Sequence, residues 1–178
     1  MLRHKEQAMK KLLVVVDMQN DFLTGALGTD EAQKIVSGVK QKIENCKNEG
    51  YQVVFTRDTH EENYMDTQEG KLLPVPHCIK GTYGWEIDAS LKEMGAKIFD
   101  KPTFGSTALS EFAKRENFDK IELCGVCTDI CVITNAFLLK TYLPEAEIVV
   151  CSALCAGTTP ENHENALRQM KICQILVK

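Results

Sequence analysis

The strongest constraint on this chain is a short apolar run, Leu12-Leu13-Val14-Val15-Val16, which never alternates with polar residues and ends on Asp17. A β-branched run that is apolar on both sides suits a strand covered on both faces, as in a parallel sheet. Four similar runs follow: Gln52 to Thr56, Lys97 to Phe99, Lys120 to Leu123 and Glu147 to Cys151. A sixth closes the chain at Cys173 to Val177. Helical patterns lie between them. Asp30 to Asn48 repeats apolar residues at Ile35, Val39, Ile43 and Cys46, and Gly50 stops it. Trp85 to Met94 ends before Gly95, Thr107 or Ser110 caps a segment to Glu116, and Thr128 to Tyr142 stops before Pro144. Pro160 opens the last helix, to Lys171. Strands alternating with helices predict an α/β fold: a doubly wound, mainly parallel six-stranded sheet with helices on both faces, in a Rossmann-like three-layer arrangement. The chain is 178 residues long, within the ~100–200 residues of one domain. Residues 1–178 are therefore expected to form a single domain, with residues 1–10 as a mobile N-terminal extension. Thr59 to Tyr83 is the exception, a polar loop marked by Gly and Pro, and a loop of that length is usually functional.

Composition excludes several classes. With 21 basic and 25 acidic residues spread along the chain and no long basic block, a nucleic-acid surface is not expected. No apolar run approaches the ~18–20 residues of a membrane span. The start, MLRHKEQAMKK, lacks the apolar stretch of a secretory signal, so the expected location is the cytoplasm. There the eight cysteines read as buried thiols, a nucleophile or metal ligands rather than as disulfides.

In open parallel sheets, ligands bind outside the carboxyl ends of the strands. The residues at those ends are Asp17, then Arg57-Asp58-Thr59-His60, then Asp100-Lys101, then Cys124-Gly125-Val126-Cys127-Thr128-Asp129-Ile130-Cys131. A carboxylate, a lysine and a cysteine thus share one edge. Gly125 allows a tight turn, and Cys131 falls in the first turn of the following helix, where the helix dipole is expected to favour the thiolate. Backbone N–H groups of the same turn are placed to hold an oxyanion. With Asp17 taking the thiol proton and Lys101 holding both anions, the set makes a Cys–Asp–Lys nucleophilic site.

Gly125-Val126-Cys127-Thr128-Asp129-Ile130-Cys131-Val132, together with Val16-Asp17-Met18-Gln19-Asn20-Asp21-Phe22 and Lys101, resembles the isochorismatase-like cysteine hydrolases, and within them most of all the nicotinamidases. The resemblance runs from about Lys11 to Val177, with separated motifs in strand order. It implies that Cys131 is the nucleophile of an acyl-enzyme, Asp17 the general acid/base and Lys101 the triad lysine. It implies an oxyanion hole from the backbone N–H groups of Cys127 and Cys131, and a cis peptide from Val126 to Cys127. Phe22 matches an aromatic packed on the substrate ring, with Phe104 as a second wall.

The same resemblance implies a metal centre. Asp58-x-His60 places a carboxylate and an imidazole at alternating positions after a strand, and His77 returns beyond the long loop. Two histidines and a carboxylate suit one divalent ion, with Zn first and Fe or Mn as alternatives. Glu69 falls where some relatives supply a further carboxylate. The implied activity is hydrolysis of nicotinamide to nicotinate and ammonia, in NAD salvage, by a chain that self-associates as its relatives do. Pro74 and Leu73 stand where many nicotinamidases carry an aromatic, which keeps open another small amide, such as a carbamoyl or ureido compound. Cys124 and Cys127 also share a C-x-x-C spacing, which leaves a redox-thiol reading to be tested.

Overall fold

A computed structural model describes residues 8–92, 94 and 97–178. The expected N-terminal extension falls for its first seven residues outside the described part. Lys10, just beyond them, is tied down, its N–H donating to Asp119 Oδ2 at 2.7 Å.

The six apolar runs become six strands of one sheet: β1 (Lys11–Val16), β2 (Gln52–Asp58), β3 (Lys97–Lys101), β4 (Lys120–Val126), β5 (Glu147–Ala156) and β6 (Leu176–Val177). Their order is β3-β2-β1-β4-β5-β6, and every pairing is parallel. Alternation along β1 explains why its sequence has no polar face. Leu12, Val14 and Val16 enter one core, together with Leu109, Phe112, Ala136, Leu139 and Leu167. Leu13 and Val15 enter the other, with Ile35, Val39, Ile43, Val53 and Phe55. The first core is roofed by α5 (Thr107–Glu116), α6 (Ile133–Tyr142) and α7 (Pro160–Ile172), the second by α2 (Asp30–Asn48). Each of these cores draws its helices from the 3.6-residue apolar repeat of the sequence. Thr29, Ser106 and Thr159 cap α2, α5 and α7 by accepting the N–H of Ala32, Leu109 and Asn162.

Short elements fill the loops. They are α1 (Asn20–Leu23), a 3₁₀ turn at Tyr64–Asp66, α3 (Gln68–Leu72) and α4 (Ala89–Lys92). Four expectations change. The cap of α5 is Ser106, whose hydroxyl accepts the Leu109 N–H, rather than Thr107 or Ser110. The helix expected from Trp85 to Met94 shrinks to the single turn α4, because residues 83–86 are strapped onto the 20–21 turn instead: Asn20 and Asp21 donate to Glu86 O and Gly84 O at 3.0 Å each. The last strand begins at Leu176 rather than Cys173, since Cys173 ends α7 and Gln174 takes a left-handed φ of 63°. The segment from Thr128 to Tyr142 is not uniformly α-helical. It opens with a π turn over Thr128–Val132 before α6.

β1 and β4 are central neighbours from which the chain progresses in opposite directions, so their carboxyl ends frame the crevice where such sheets bind ligands. No helix among the described residues is long and apolar enough to cross a membrane.

Candidate active site

Asp17 is the first residue past β1, wholly buried, with a left-handed φ of 47° that turns the backbone off the sheet. Its Oδ1 accepts the Thr56 hydroxyl at 2.6 Å. Its Oδ2 accepts no aligned hydrogen bond and has the Lys101 ammonium as charge partner at 2.7 Å. Lys101 closes β3, is 1% exposed, and reaches under the neighbouring strands so that Nζ also lies 3.2 Å from Asp58 Oδ1 and 3.5 Å from Cys131 Sγ. Cys131 rides on the π turn after β4. The approach of that turn to β1 depends on Gly125, whose φ of 118° is open only to glycine and whose missing Cβ would overlap the Val16 carbonyl oxygen. The Val126–Cys127 peptide that follows is cis. One ammonium thus touches both carboxylates and the thiol.

Burial sets the proton affinities here. It pushes the Asp17 carboxyl above its ordinary value, against the pull of Lys101. It also pushes the Cys131 thiol well up, and the Asp17 charge adds to the effect. Burial and the Asp17 charge thus oppose the thiolate that the helix dipole was expected to favour. Burial lowers Lys101, but Asp17, Cys131 and Asp58 outweigh it and hold the ammonium charged.

Beside this triad lie Asp58 at the end of β2, His60 two residues on, Glu69 in α3 and His77 beyond it. One ligand atom from each falls within 4.8 Å of every other. Asp58 Oδ2 sits 2.9 Å from His60 Nε2 and 3.6 Å from His77 Nε2, and Glu69 Oε1 is 3.6 Å from His60 Nε2. His77 Nδ1 is 2.8 Å from Val75 O, which fixes the ring and leaves Nε2 facing the cluster. Burial opposes charge on Asp58, but His60, His77 and Lys101 hold its carboxyl well below the usual range. Two imidazole nitrogens and two carboxylates converging on one point match the donor set of a divalent transition ion. The residues fit such an ion.

A cavity of about 380 Å³ opens onto both groups. Phe22, Leu73, His77, Phe104, Cys127 and Cys131 are among its walls, while Asp17, Lys101 and His60 stand behind them. Phe22 is buried and meets the His77 ring edge-on at 5.7 Å, whereas Phe104 is exposed at the mouth. The residues expected to form the triad, the oxyanion turn, the metal set and the ring walls therefore reach one locality. Cys124, by contrast, is wholly buried in the core, and Cys151 and Cys155 lie on β5.

Two positioning side chains escaped the sequence reading. Gln19 grips the Asp58 backbone, with Oε1 accepting its N–H at 2.7 Å and Nε2 donating to its carbonyl at 2.9 Å. Asn135, wholly buried, donates to Cys131 O at 2.8 Å and Phe104 O at 3.1 Å and accepts Ser106 N–H at 3.0 Å. Gln19 reaches across to Asp58, and Asn135 beyond its own helix to Phe104 and Ser106, contacts distant in sequence that no spacing rule reports.

A parallel α/β sheet that brings a cysteine, an aspartate and a lysine together at the carboxyl ends of its strands has the arrangement expected of a cysteine hydrolase. The sequence matches the family described as Isochorismatase domain over residues 11–177, and the chain belongs to that family. It is 32% identical to the isochorismatase family protein PncA of Bacillus subtilis, over 89% of this chain and 93% of that one. The fold superposes on the zinc complex of Pyrococcus horikoshii pyrazinamidase with a TM-score of 0.84 at 32% identity, covering 95% and 98% of the two chains. It superposes on Streptococcus mutans pyrazinamidase/nicotinamidase with a TM-score of 0.85 at 27% identity, covering 95% and 100%. The chain is a hydrolase of amide C–N bonds.

Proposed function

We propose that this chain is a metal-dependent nicotinamidase, a single-domain enzyme that converts nicotinamide to nicotinate and ammonia in NAD salvage through an acyl-enzyme on Cys131. The observation that carries the reading is the Lys101 ammonium, which lies within 3.5 Å of the Cys131 sulfur and of a carboxylate from each of the two groups, Asp17 and Asp58.

Asp17 takes the proton from Cys131 Sγ as the sulfur attacks the carboxamide carbon. A raised carboxyl suits this work, because it brings the base closer to the affinity of the thiol it must deprotonate. Lys101 stays charged throughout and offsets the negative charge as it passes from carboxylate to sulfur. The N–H groups of Cys127 and Cys131 hold the tetrahedral oxyanion. Asp17 then returns the proton to the departing nitrogen, which leaves as ammonia. Water deprotonated by the same carboxylate cleaves the thioester. Phe22 and Phe104 flank the ring, and the apolar walls keep bulk water from the thioester. Asp58, His60, Glu69 and His77 would hold a divalent ion, which would supply Lewis acidity to the ring side of the substrate.

A second reading, hydrolysis of another small amide such as a carbamoyl or ureido compound, is favoured by one feature. The wall ahead of His77 is the half-exposed Leu73 rather than an aromatic ring. Ammonia release from nicotinamide, before and after chelation and after restoring Zn, Fe or Mn, separates the two. Chelator-sensitive turnover restored by metal is the expected result. Silence toward nicotinamide with metal bound would sink the nicotinamidase assignment and leave the second reading.

A further inference from the structure

We infer that Asp21 is a positioning residue for the metal centre, setting the spacing of His60 and His77 through the backbone of Cys78; this rests on the metal reading above. Cys78 is wholly buried and takes a left-handed φ of 48°, a conformation that a side-chain-bearing residue holds only when its surroundings impose it. Two bonds impose it. Asp21 Oδ2 accepts the Cys78 N–H at 2.7 Å, which fixes the peptide plane immediately after His77. The Cys78 carbonyl accepts the His60 N–H at 3.0 Å, and Lys80 N–H returns to the His60 carbonyl at 2.8 Å. Cys78 is therefore the link between the two histidines, whose ring centroids stand 4.9 Å apart. Its N–H side is anchored from outside the metal cluster by a single carboxylate.

That carboxylate is itself held in place. Its Oδ1 accepts the Ala26 N–H at 3.3 Å, and the Asp21 N–H donates to Gly84 O at 3.0 Å. A Cβ at either Gly25 or Gly84 would overlap the Asp21 side chain, so both positions are kept clear for it. Among the described residues the Asp21 carboxylate bonds to Ala26 N and Cys78 N and not to Asp58, His60, Glu69 or His77, and it does not line the cavity that opens onto them. It acts only through the backbone, and its loss would let Cys78 leave the left-handed region and swing His77 away from His60.

The test is metal binding by the full chain, read without turnover. Zinc affinity is measured by competition with a chromophoric chelator, and the cobalt-substituted protein is compared by its visible absorption. Outer groups that orient metal ligands are worth about 10–100-fold in affinity. Asp21→Ala is expected to lose zinc affinity by that factor and to alter the cobalt spectrum. Asp21→Asn, which keeps an acceptor oxygen, is expected to restore both. If Asp21→Ala does not fold, Gly84→Ala carries the test by displacing the carboxylate without removing it. Wild-type affinity and an unchanged cobalt spectrum in the folded variant would overturn the inference while leaving the metal reading intact. Failure of the wild-type protein to bind zinc or cobalt would overturn both.

Discussion

Replacing Lys101 with Met keeps most of the buried aliphatic stem and deletes the one charge that both carboxylates share. At an effective dielectric of about 20, an ammonium 2.7 Å from Asp17 Oδ2 and 3.2 Å from Asp58 Oδ1 interacts with each by roughly 5–6 kcal/mol before the cost of burying it. Much of that attraction only offsets desolvation, so the net loss is set by leaving buried carboxylates without their partner, about 3–5 kcal/mol. For a chain of this size that corresponds to a fall in Tm of about 6–20 °C at pH 8. The deficit has a signed pH dependence. Lys101 pulls the Asp17 carboxyl down, and without it burial and the Asp58 charge raise the carboxyl further. A carboxyl raised in the folded state holds its proton more tightly than the unfolded chain does. Stability therefore rises as pH falls through the raised value, by up to about 1.4 kcal/mol per pH unit. Thermal melts of the chelator-treated wild type and variant at pH 8 and pH 5 read this directly. The gap between the two proteins narrows at pH 5. A variant as stable as wild type at pH 8, or a gap that widens on acidification, would refute the reasoning, because Lys101 would then not be compensating a charged Asp17.

Three further outcomes follow from the same geometry. Cys131→Ala abolishes ammonia release by a factor on the order of 10⁴–10⁶, while Cys124→Ala, whose thiol is sealed in the core, leaves turnover intact; equal loss in both would revive the cysteine-pair reading. Because the reaction needs the Asp17 carboxylate and its affinity is raised, kcat/KM climbs with pH along a limb displaced above the ordinary Asp value of 3.8. Burial pushes the Cys131 thiol up, so a limb centred at the ordinary thiol value of about 8.5 in the rate profile would contradict this assignment. Gly125→Ala costs more than about 1 kcal/mol in denaturant unfolding, since its φ of 118° and the closeness of Val16 O both exclude a Cβ; an unchanged midpoint would show that the turn is free to relax.

The sheet was legible because burial on both faces removes alternation from a strand, and all six runs become strands with ends moved by a few residues. Where the reading failed, a non-local bond had outcompeted a local preference. Trp85 looks helical from its neighbours, yet its carbonyl accepts Gln19 Nε2 at 2.9 Å and its indole donates to Thr59 at 2.9 Å, which pins it to the loops around Asp58. The chemistry-bearing residues were legible through strand order, because parallel strands deliver their carboxyl ends to one edge. The side chains that hold them were not. Gln19, Asp21 and Asn135 are ordinary polar residues until the fold brings them to the backbone of Asp58, Cys78 and Cys131.

The thiol exposes the limit of motif reasoning most clearly. A cysteine one turn past a strand end is expected to be acidic, and the dipole argument gives that answer whatever lies alongside. Here burial and the Asp17 charge work against it, and the proposed mechanism passes a proton between two groups whose affinities are both raised. Lys101 stays charged between the two carboxylates, 2.7 Å from Asp17 Oδ2 and 3.2 Å from Asp58 Oδ1. Asp58 thereby serves two centres through different oxygens, Oδ1 toward the lysine and Oδ2 toward the histidines. Any ion drawn by Oδ2 competes with Lys101 for the charge of the same carboxylate, which shifts the ammonium's attraction toward Asp17 and Cys131. The candidate metal cluster and the Cys131 thiol are consequently linked electrostatically through a single side chain that the sequence presents only as the residue two before a histidine.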